Sequence, residues 1–193
     1  MLPAKRIALI FIALSFLAFS MPEKKKIKLF MAGDSTMSIK EKNKYPETGW
    51  GMPFAGLFDS TVTVVNRAKN GRSTRTFMAE GLWKSITDEM SKGDYVFIQF
   101  GHNDEILTKA SATKPDEFRA NLVKYVTDTK DKKAIPVLLT SVARRSFDST
   151  GKITDTHKEY SAIVKEVAAE QKVIFFDMNK LTIQFYEETG VEK

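Results

Sequence analysis

The sequence predicts an α/β fold in which helices cover a parallel sheet of about five strands. Two observations carry this prediction. Short runs of almost continuously apolar residues recur along the chain, which is typical of strands covered on both faces. Segments with apolar residues three and four positions apart separate these runs, and that spacing is typical of amphipathic helices. Strands that alternate with helices favour a parallel sheet joined by right-handed crossovers.

The strand predictions are five apolar runs, of which the first is ended by Gly33. They cover residues 27–32, 62–66, 95–100, 135–142 and 173–177. In an open sheet of this kind, ligands bind beyond the carboxyl ends of the strands, where the strand order reverses. The loops that follow the first strands are therefore the place to look for function.

The helix predictions rest on apolar residues that share one face. Two such sets are well defined, and a third indicates one helix between the second and third strands. The sets are Phe118, Leu122, Tyr125 and Val126; Tyr160, Ile163, Val164, Val167 and Ala168; and Met78, Leu82 and Ile86. Pro115, followed by Asp116 and Glu117, indicates a first helical turn, because proline and acidic residues are favoured there.

Composition excludes several classes of protein and of site. With 193 residues, 42% hydrophobic and 28% charged, the chain fits one globular domain rather than a disordered or multi-span membrane protein. The absence of cysteine excludes disulfides, thiolate metal sites and a cysteine nucleophile. His102 and His157 are the only histidines, so a histidine base has two candidates at most. No phosphate-binding glycine loop, zinc motif or calcium loop is present, and no cofactor or metal is expected.

The N-terminus has the pattern of a secretory signal peptide over residues 1–20. Lys5 and Arg6 precede an apolar stretch at residues 7–19 that is short for a membrane span. We therefore expect a secreted or periplasmic protein without stable membrane insertion after cleavage. The one tight basic run, at residues 24–26, follows the cleavage point, and charges elsewhere are mixed in sign. A nucleic-acid partner is not expected.

Three polar motifs occupy the carboxyl ends of the first three predicted strands. They are Gly33-Asp34-Ser35-Thr36, Asn70-Gly71-Arg72-Ser73 and Gly101-His102-Asn103-Asp104. If the strand order is 2-1-3, the second and third motifs flank Ser35, which we expect to be exposed on a strand-to-helix turn. The Gly71 N–H and the Asn103 amide could then point to an atom that Ser35 attacks, which is the geometry of an oxyanion hole. Alone, each motif has a plainer interpretation, such as a helix cap at Asp34 or Ser35 or a simple Asn-Gly turn.

The motifs together resemble the SGNH (GDSL-type) hydrolases, and within them the rhamnogalacturonan acetylesterase-like branch. The resemblance runs from about Ile27 to near the C-terminus, and it includes Gly49-Trp50-Gly51 and Asp155-Thr156-His157 besides the motifs above. It implies a three-layer, flavodoxin-like SGNH hydrolase fold with strand order 2-1-3-4-5 in residues 21–193. It also implies that Ser35 is the nucleophile and that the N–H groups of Ser35 and Gly71, with the Asn103 amide, form the oxyanion hole. The implied reaction is hydrolysis of acetyl esters on a pectic cell-wall polysaccharide through an acyl-enzyme.

Other residues are expected on the substrate side of this site. Asp34, Arg72 and His102 are the substrate-binding candidates, and Arg72 is the best placed of the arginines to meet a uronate carboxylate because it adjoins the predicted hole.

One departure from the resemblance concerns the base. The family carries a late Asp-x-x-His block that supplies the histidine base, and this sequence has none. Asp155-Thr156-His157 has the wrong spacing, and we expect His102 and His157 to be local structural or substrate-side residues. A serine is a weak nucleophile without a base, so we expect a chain shortened at its C-terminus and nearly inactive. Two alternatives stay open: a non-catalytic carbohydrate-binding remnant, and an SGNH esterase or lipase acting on other esters.

Overall fold

A computed structural model of the chain describes residues 26–191. Its centre is a five-stranded parallel sheet in the order β2-β1-β3-β4-β5, which confirms the predicted topology. The strands are β1 (Ile27–Gly33), β2 (Val62–Asn66), β3 (Tyr95–Gln99), β4 (Ile135–Leu139) and β5 (Ile174–Phe176). The predictions for residues 1–20 and for the basic residues 24 and 25 lie outside the described residues.

The helices are distributed between and after the strands. They are α1 (Gly51–Phe54), α2 (Thr74–Ala79), α3 (Leu82–Glu89), α4 (Pro115–Asp131), α5 (Lys158–Gln171) and α6 (Met178–Thr189), with short 3-10 turns at Lys42–Lys44 and Ala55–Leu57. Pro115 is the first residue of α4, and the acidic residues of its first turn are Asp116 and Glu117, as predicted.

The single helix predicted between β2 and β3 is wrong, because the chain forms two. Met78 belongs to α2, whereas Leu82 and Ile86 belong to α3. Gly81 separates the helices and takes a left-handed backbone with φ of 75°. That conformation ends α2 and lets α3 begin in a new direction.

β4 is shorter than predicted, since residues 140–142 leave the strand. The Thr140 hydroxyl accepts a hydrogen bond from the Asn179 N–H at 2.8 Å and donates one to Asp177 at 3.2 Å. The polar side chain thus fastens the chain to the start of α6.

The two faces of the sheet are covered unequally. Helices α2 to α5 cover one face, where Phe30 and Ile98 lie in a core with helix residues such as Trp83 and Leu122. On the other face, α1 covers Leu29 and Met31 with a smaller cluster of aromatic residues. Beyond α1 this second face forms a shallow apolar groove of about 290 Å³, which is lined by side chains of all five strands.

Candidate active site

The carboxyl ends of β1, β2 and β3 meet at one edge of the sheet, with β1 in the middle. Hydrogen bonds join the loops that follow them. The Lys69 N–H donates to the Gly33 carbonyl at 3.0 Å, which ties the second loop to the end of β1. The Asn103 side-chain amide donates to the Arg72 carbonyl at 3.0 Å, which ties the third loop to the second. The structure therefore brings the three predicted motifs together.

Ser35 lies in a turn directly after β1 and is half-buried. Within residues 26–191 its hydroxyl has no hydrogen-bond partner, so it is available to a ligand. The Thr36 N–H and hydroxyl both donate to the Asp34 carboxylate, at 2.9 and 2.8 Å, and so shape the turn. The expected strand-to-helix turn and the helix-cap alternative are wrong in one respect, because no helix begins between the end of β1 at Gly33 and the 3-10 turn at Lys42.

Asp34 is fully buried beneath this turn. One carboxylate oxygen accepts the two Thr36 hydrogen bonds, and the other has no partner among the described residues. Burial raises the pKa of Asp34 to about 6, although the bonds from Thr36 act in the opposite direction. Its side chain thus shapes the turn from below and has no surface in this structure to offer a polysaccharide.

Gly71 is exposed at the tip of the second loop. Its φ of 76° is in the left-handed region, which favours glycine over any residue with a side chain. Its N–H makes no hydrogen bond within the described part of the chain. Ser73 caps α2 just beyond it through a reciprocal capping box with Thr76, which anchors the loop. The Gly71 amide is therefore held on a short, fastened segment.

Asn103 is buried at the start of the third loop, with 5% of its surface exposed. One amide proton bonds to Arg72, and the amide retains a second proton to donate. The neighbouring Asp104 holds the loop by accepting from the Thr74 N–H and hydroxyl at 2.9 and 2.6 Å, and from the Gly101 N–H at 3.1 Å. Burial raises the pKa of the Asp104 carboxyl despite the bonds from Thr74.

Beside Asn103, four side chains close a ring of short polar contacts. Arg144 Nη1 contacts His102 Nε2 at 2.7 Å, and His102 Nδ1 contacts His157 Nε2 at 3.0 Å. His157 Nδ1 contacts Glu105 Oε1 at 3.0 Å, and Arg144 Nη2 returns to the same carboxylate oxygen at 2.9 Å. His157 is buried, whereas His102 is only partly covered.

Only one arrangement of protons satisfies this ring. Arginine can only donate, so His102 Nε2 accepts and its proton is on Nδ1. His157 Nε2 then accepts from His102, and its own proton is on Nδ1, which lies 2.8 Å from the Thr156 hydroxyl oxygen and 3.0 Å from Glu105 Oε1. Burial, with the charge of Arg144 next, lowers the pKa of His102 to about 4. Burial opposes ionisation of Glu105, but the bonds from His157 and Arg144 outweigh it and lower the pKa of that carboxyl.

The ring has a direct consequence for catalysis. A general base needs an unprotonated nitrogen that can reach the serine hydroxyl. The unprotonated nitrogens of His102 and His157 are both occupied by donors of the ring. Neither histidine is therefore placed to take a proton from Ser35.

Arg72 lies at the rim of the site with its guanidinium already engaged. Nε and Nη2 donate to Glu80 at 3.0 and 2.8 Å, and Nη1 donates to the Asn70 carbonyl at 2.7 Å. Its side chain also lines a groove of about 270 Å³ beside the second loop, together with Lys44 and Lys69. The groove carries positive charge from three side chains, with Glu41 as its acidic member.

Sequence reasoning missed two parts of this site. Lys40 is buried against the Ser35 turn, although a lysine in a polar segment is expected to face solvent. Arg144 and Glu105 complete the histidine ring from distant segments of sequence, and no local sequence pattern predicts their contacts with the histidines.

The described ranges contain no group of three or more metal-ligating His, Cys, Asp or Glu side chains. Among the helices of residues 26–191, none has the length and apolar character needed to cross a membrane.

Comparisons with known proteins cover most of the chain. The model of the GDSL-like Lipase/Acylhydrolase family matches residues 31–188. The rhamnogalacturonan acetylesterase RhgT of Bacillus subtilis is 42% identical over 171 residues, which are 88% of this chain and 72% of that protein.

Solved structures share the fold. The crystal structure of YxiM from Bacillus subtilis superposes with a TM-score of 0.77 at 27% identity, over 86% of this chain and 47% of that one. This chain thus spans about half of the YxiM structure. The acetylxylan esterase Axe2 of Geobacillus stearothermophilus has a TM-score of 0.65 at 22% identity, over 86% of this chain and 85% of its own. That likeness concerns the fold alone.

Proposed function

The chain belongs to the GDSL-like lipase/acylhydrolase family of carboxylic ester hydrolases, and on this premise we propose that it acts on acetyl esters of a pectic polysaccharide with Ser35 as nucleophile. The observation that carries the proposal is the meeting of three loops at one sheet edge. Among residues 26–191, the Ser35 hydroxyl of the first loop and the Gly71 N–H of the second have no hydrogen-bond partner, and the third loop contributes the Asn103 carboxamide. The 42% identity to a rhamnogalacturonan acetylesterase supports the substrate class. The cationic groove beside Arg72 suits a polymer with uronate carboxylates.

In the proposed reaction, the Ser35 oxygen attacks the acetyl carbonyl carbon while its proton leaves to a base. The N–H groups of Ser35 and Gly71 and the Asn103 amide donate to the carbonyl oxygen as it becomes negative. The C–O bond to the sugar then breaks, and the sugar oxygen takes a proton as it leaves. Water attacks acetyl-Ser35 in the same way and releases acetate.

The described residues provide no histidine base for the proton transfer from Ser35. His102 and His157 are committed to the ring, so residues 26–191 offer Ser35 no imidazole. Loss of a triad member lowers turnover by about 10⁴–10⁶. We therefore propose that this chain hydrolyses esters slowly, through its oxyanion site and binding alone.

A second candidate function is carbohydrate binding without turnover. The same committed histidines favour it, because the crevice keeps its polar groups whether or not a base is present.

We also propose that residues 1–20 direct the protein to a secreted or periplasmic location. Mass spectrometry of the N-terminus of the exported protein would test this proposal.

The test is hydrolysis of p-nitrophenyl acetate and release of acetate from acetylated rhamnogalacturonan oligosaccharides. We expect slow turnover that Ser35→Ala removes. Turnover matching that of RhgT and lost in Ser35→Ala would overturn the proposed slowness and assign a base role to one of the histidines. A rate unchanged by Ser35→Ala would overturn the nucleophile, and oligosaccharide binding without any Ser35-dependent cleavage would favour the second candidate.

Imidazole ¹⁵N spectra separate these outcomes further. At neutral pH we expect protonated Nδ1 and unprotonated Nε2 on both histidines, as the ring requires. A protonated Nε2 on either histidine would contradict the assigned ring and reopen the question of the base.

A further inference from the structure

Lys40 has an unusual environment for a lysine. Its side chain is 2% exposed, and its ammonium group has three acceptors. These are the Ser35 carbonyl oxygen at 2.6 Å, Asn70 Oδ1 at 3.0 Å and Glu47 Oε1 at 2.8 Å. The ammonium has three protons, so each proton has an acceptor and the buried charge is satisfied.

The ion pair alone does not explain this burial. Glu47 is the only charged acceptor, and its side chain is 54% exposed. A lysine that paired only with Glu47 could do so in solvent, where ion pairs contribute little to the free energy of unfolding. Instead the ammonium is buried against two neutral oxygens. Burying a charge costs free energy, so these two contacts indicate a role beyond the ion pair.

Both neutral acceptors belong to the candidate active site. One is the main chain of the nucleophile residue, and the other is the side chain of Asn70, which directly precedes Gly71. Asn70 Oδ1 also accepts from the Ser38 hydroxyl at 2.6 Å, so the turn after β1 holds it twice. On the other side of Gly71, the Arg72 carbonyl accepts from Asn103. The Gly71 peptide is thus fastened on both sides, and Lys40 links it to Ser35 through two short contacts of a charged donor. The Ser38 hydroxyl joins the same two residues, with a longer contact to the Ser35 carbonyl at 3.4 Å.

We propose that Lys40 is a positioning residue that fixes the Gly71 N–H relative to Ser35, so that both can serve one tetrahedral intermediate. This inference rests on the proposed function, since it assigns Lys40 to the same oxyanion site. A cation held at this place also favours negative charge in the crevice. Lys40 itself takes no proton from the serine and touches no substrate.

The test measures the oxyanion site without turnover. Methylboronic acid binds a serine nucleophile by forming a bond from the Ser35 oxygen to boron, which becomes tetrahedral and anionic while the hydroxyl proton passes to solvent. We expect Lys40→Met to weaken this binding about tenfold or more, because charge-assisted hydrogen bonds are lost. Glu47→Gln keeps both neutral contacts, and we expect a change below about threefold.

Controls separate positioning from general stability. Lys124→Met makes the same substitution at an exposed lysine of α4 and should leave boronate affinity unchanged. Lys40→Arg retains a cation with several donors and should recover part of the affinity. If Lys40→Met fails to fold, as judged by circular dichroism, the boronate affinities of Lys40→Arg and Glu47→Gln are compared instead. Unchanged affinity in Lys40→Met, or an equal loss in Glu47→Gln, would overturn the inference.

A second measurement distinguishes failure of the inference from failure of the proposed function. If wild type and Ser35→Ala bind the boronic acid equally, the proposed nucleophile is wrong. The amide ¹H–¹⁵N signal of Gly71 then still tests Lys40. We expect it to move in Lys40→Met and to stay in Lys124→Met, and an unmoved Gly71 signal in Lys40→Met would refute positioning.

Discussion

Replacing Asp34 with asparagine should change how stability depends on pH. Burial raises the pKa of Asp34 to about 6 in the folded protein, against an ordinary value of 3.8. One pKa unit corresponds to about 1.4 kcal/mol, so ionising this carboxyl in the folded state costs about 3 kcal/mol. Asparagine keeps an acceptor for the two Thr36 hydrogen bonds and never ionises.

The sign follows from proton binding. Between pH 3.8 and 6 the unfolded chain has lost the Asp34 proton while the folded protein still holds it, so stability falls as pH rises. Below this window Asp34 is neutral in both states, and above it the full penalty applies. The free energy of unfolding of Asp34→Asn, minus that of wild type, should therefore increase by about 2–3 kcal/mol from pH 3.8 to pH 7.

The difference in free energy of unfolding between Asp34→Asn and wild type separates the contribution of Asp34 from those of other titrating groups. The lowered pKa of His102 acts in the opposite direction, because its neutral form stabilises the fold and that stability is lost as pH falls from 6.5 towards 4. That contribution is common to both proteins. A buried amide without an acceptor would lower the stability of the variant by a constant amount, which does not alter the slope.

The assay is urea unfolding followed by tryptophan fluorescence at several pH values between 4 and 7.5. Asp88→Asn removes one carboxylate from an exposed site on α3, and it controls for the loss of a negative charge. A difference between Asp34→Asn and wild type that stays within about 1 kcal/mol across this range, or that falls with pH, would refute the reasoning.

Two further predictions concern the loops that hold the site. Thr74→Val removes the hydroxyl that donates to Asp104 at 2.6 Å and should lower the free energy of unfolding by about 1–3 kcal/mol, whereas Thr74→Ser should retain most of it, as measured by chemical denaturation. Gly49→Ala should destabilise by about 1–3 kcal/mol, because an added Cβ would overlap the Ser38 carbonyl oxygen. Gly56→Ala is the matched control, since nothing lies within 4 Å of its added Cβ, and a thermal-unfolding loss as large as that of Gly49→Ala would contradict the steric argument.

The fold was largely predictable because its signals are local. An apolar run predicts each strand, and a periodic apolar face with an initial proline predicts α4. The break between α2 and α3 was missed because Met78, Leu82 and Ile86 keep a helical spacing across Gly81. Spacing along one face does not report a change in helix direction.

The site was predictable only where residues follow strand ends. Ser35, Gly71 and Asn103 each occupy the first loop after a strand, and parallel pairing brings such loops together. The histidine ring joins Glu105 and Arg144 from segments that meet only in three dimensions. Lys40 has no sequence signal, because its burial depends in part on a tertiary contact with Asn70, which belongs to a separate loop.

The central place of β1 has a consequence for synthesis. Of the five described strands, β1 emerges first from the ribosome, yet it pairs on one side with β2 and on the other with β3, which begins only at Tyr95. A nascent chain that ends before Tyr95 thus presents one edge of β1 with unsatisfied main-chain groups, and such edges recruit other strands. We expect ribosome-bound intermediates of this length to be the ones that engage chaperones, with release once β3 has emerged and docked.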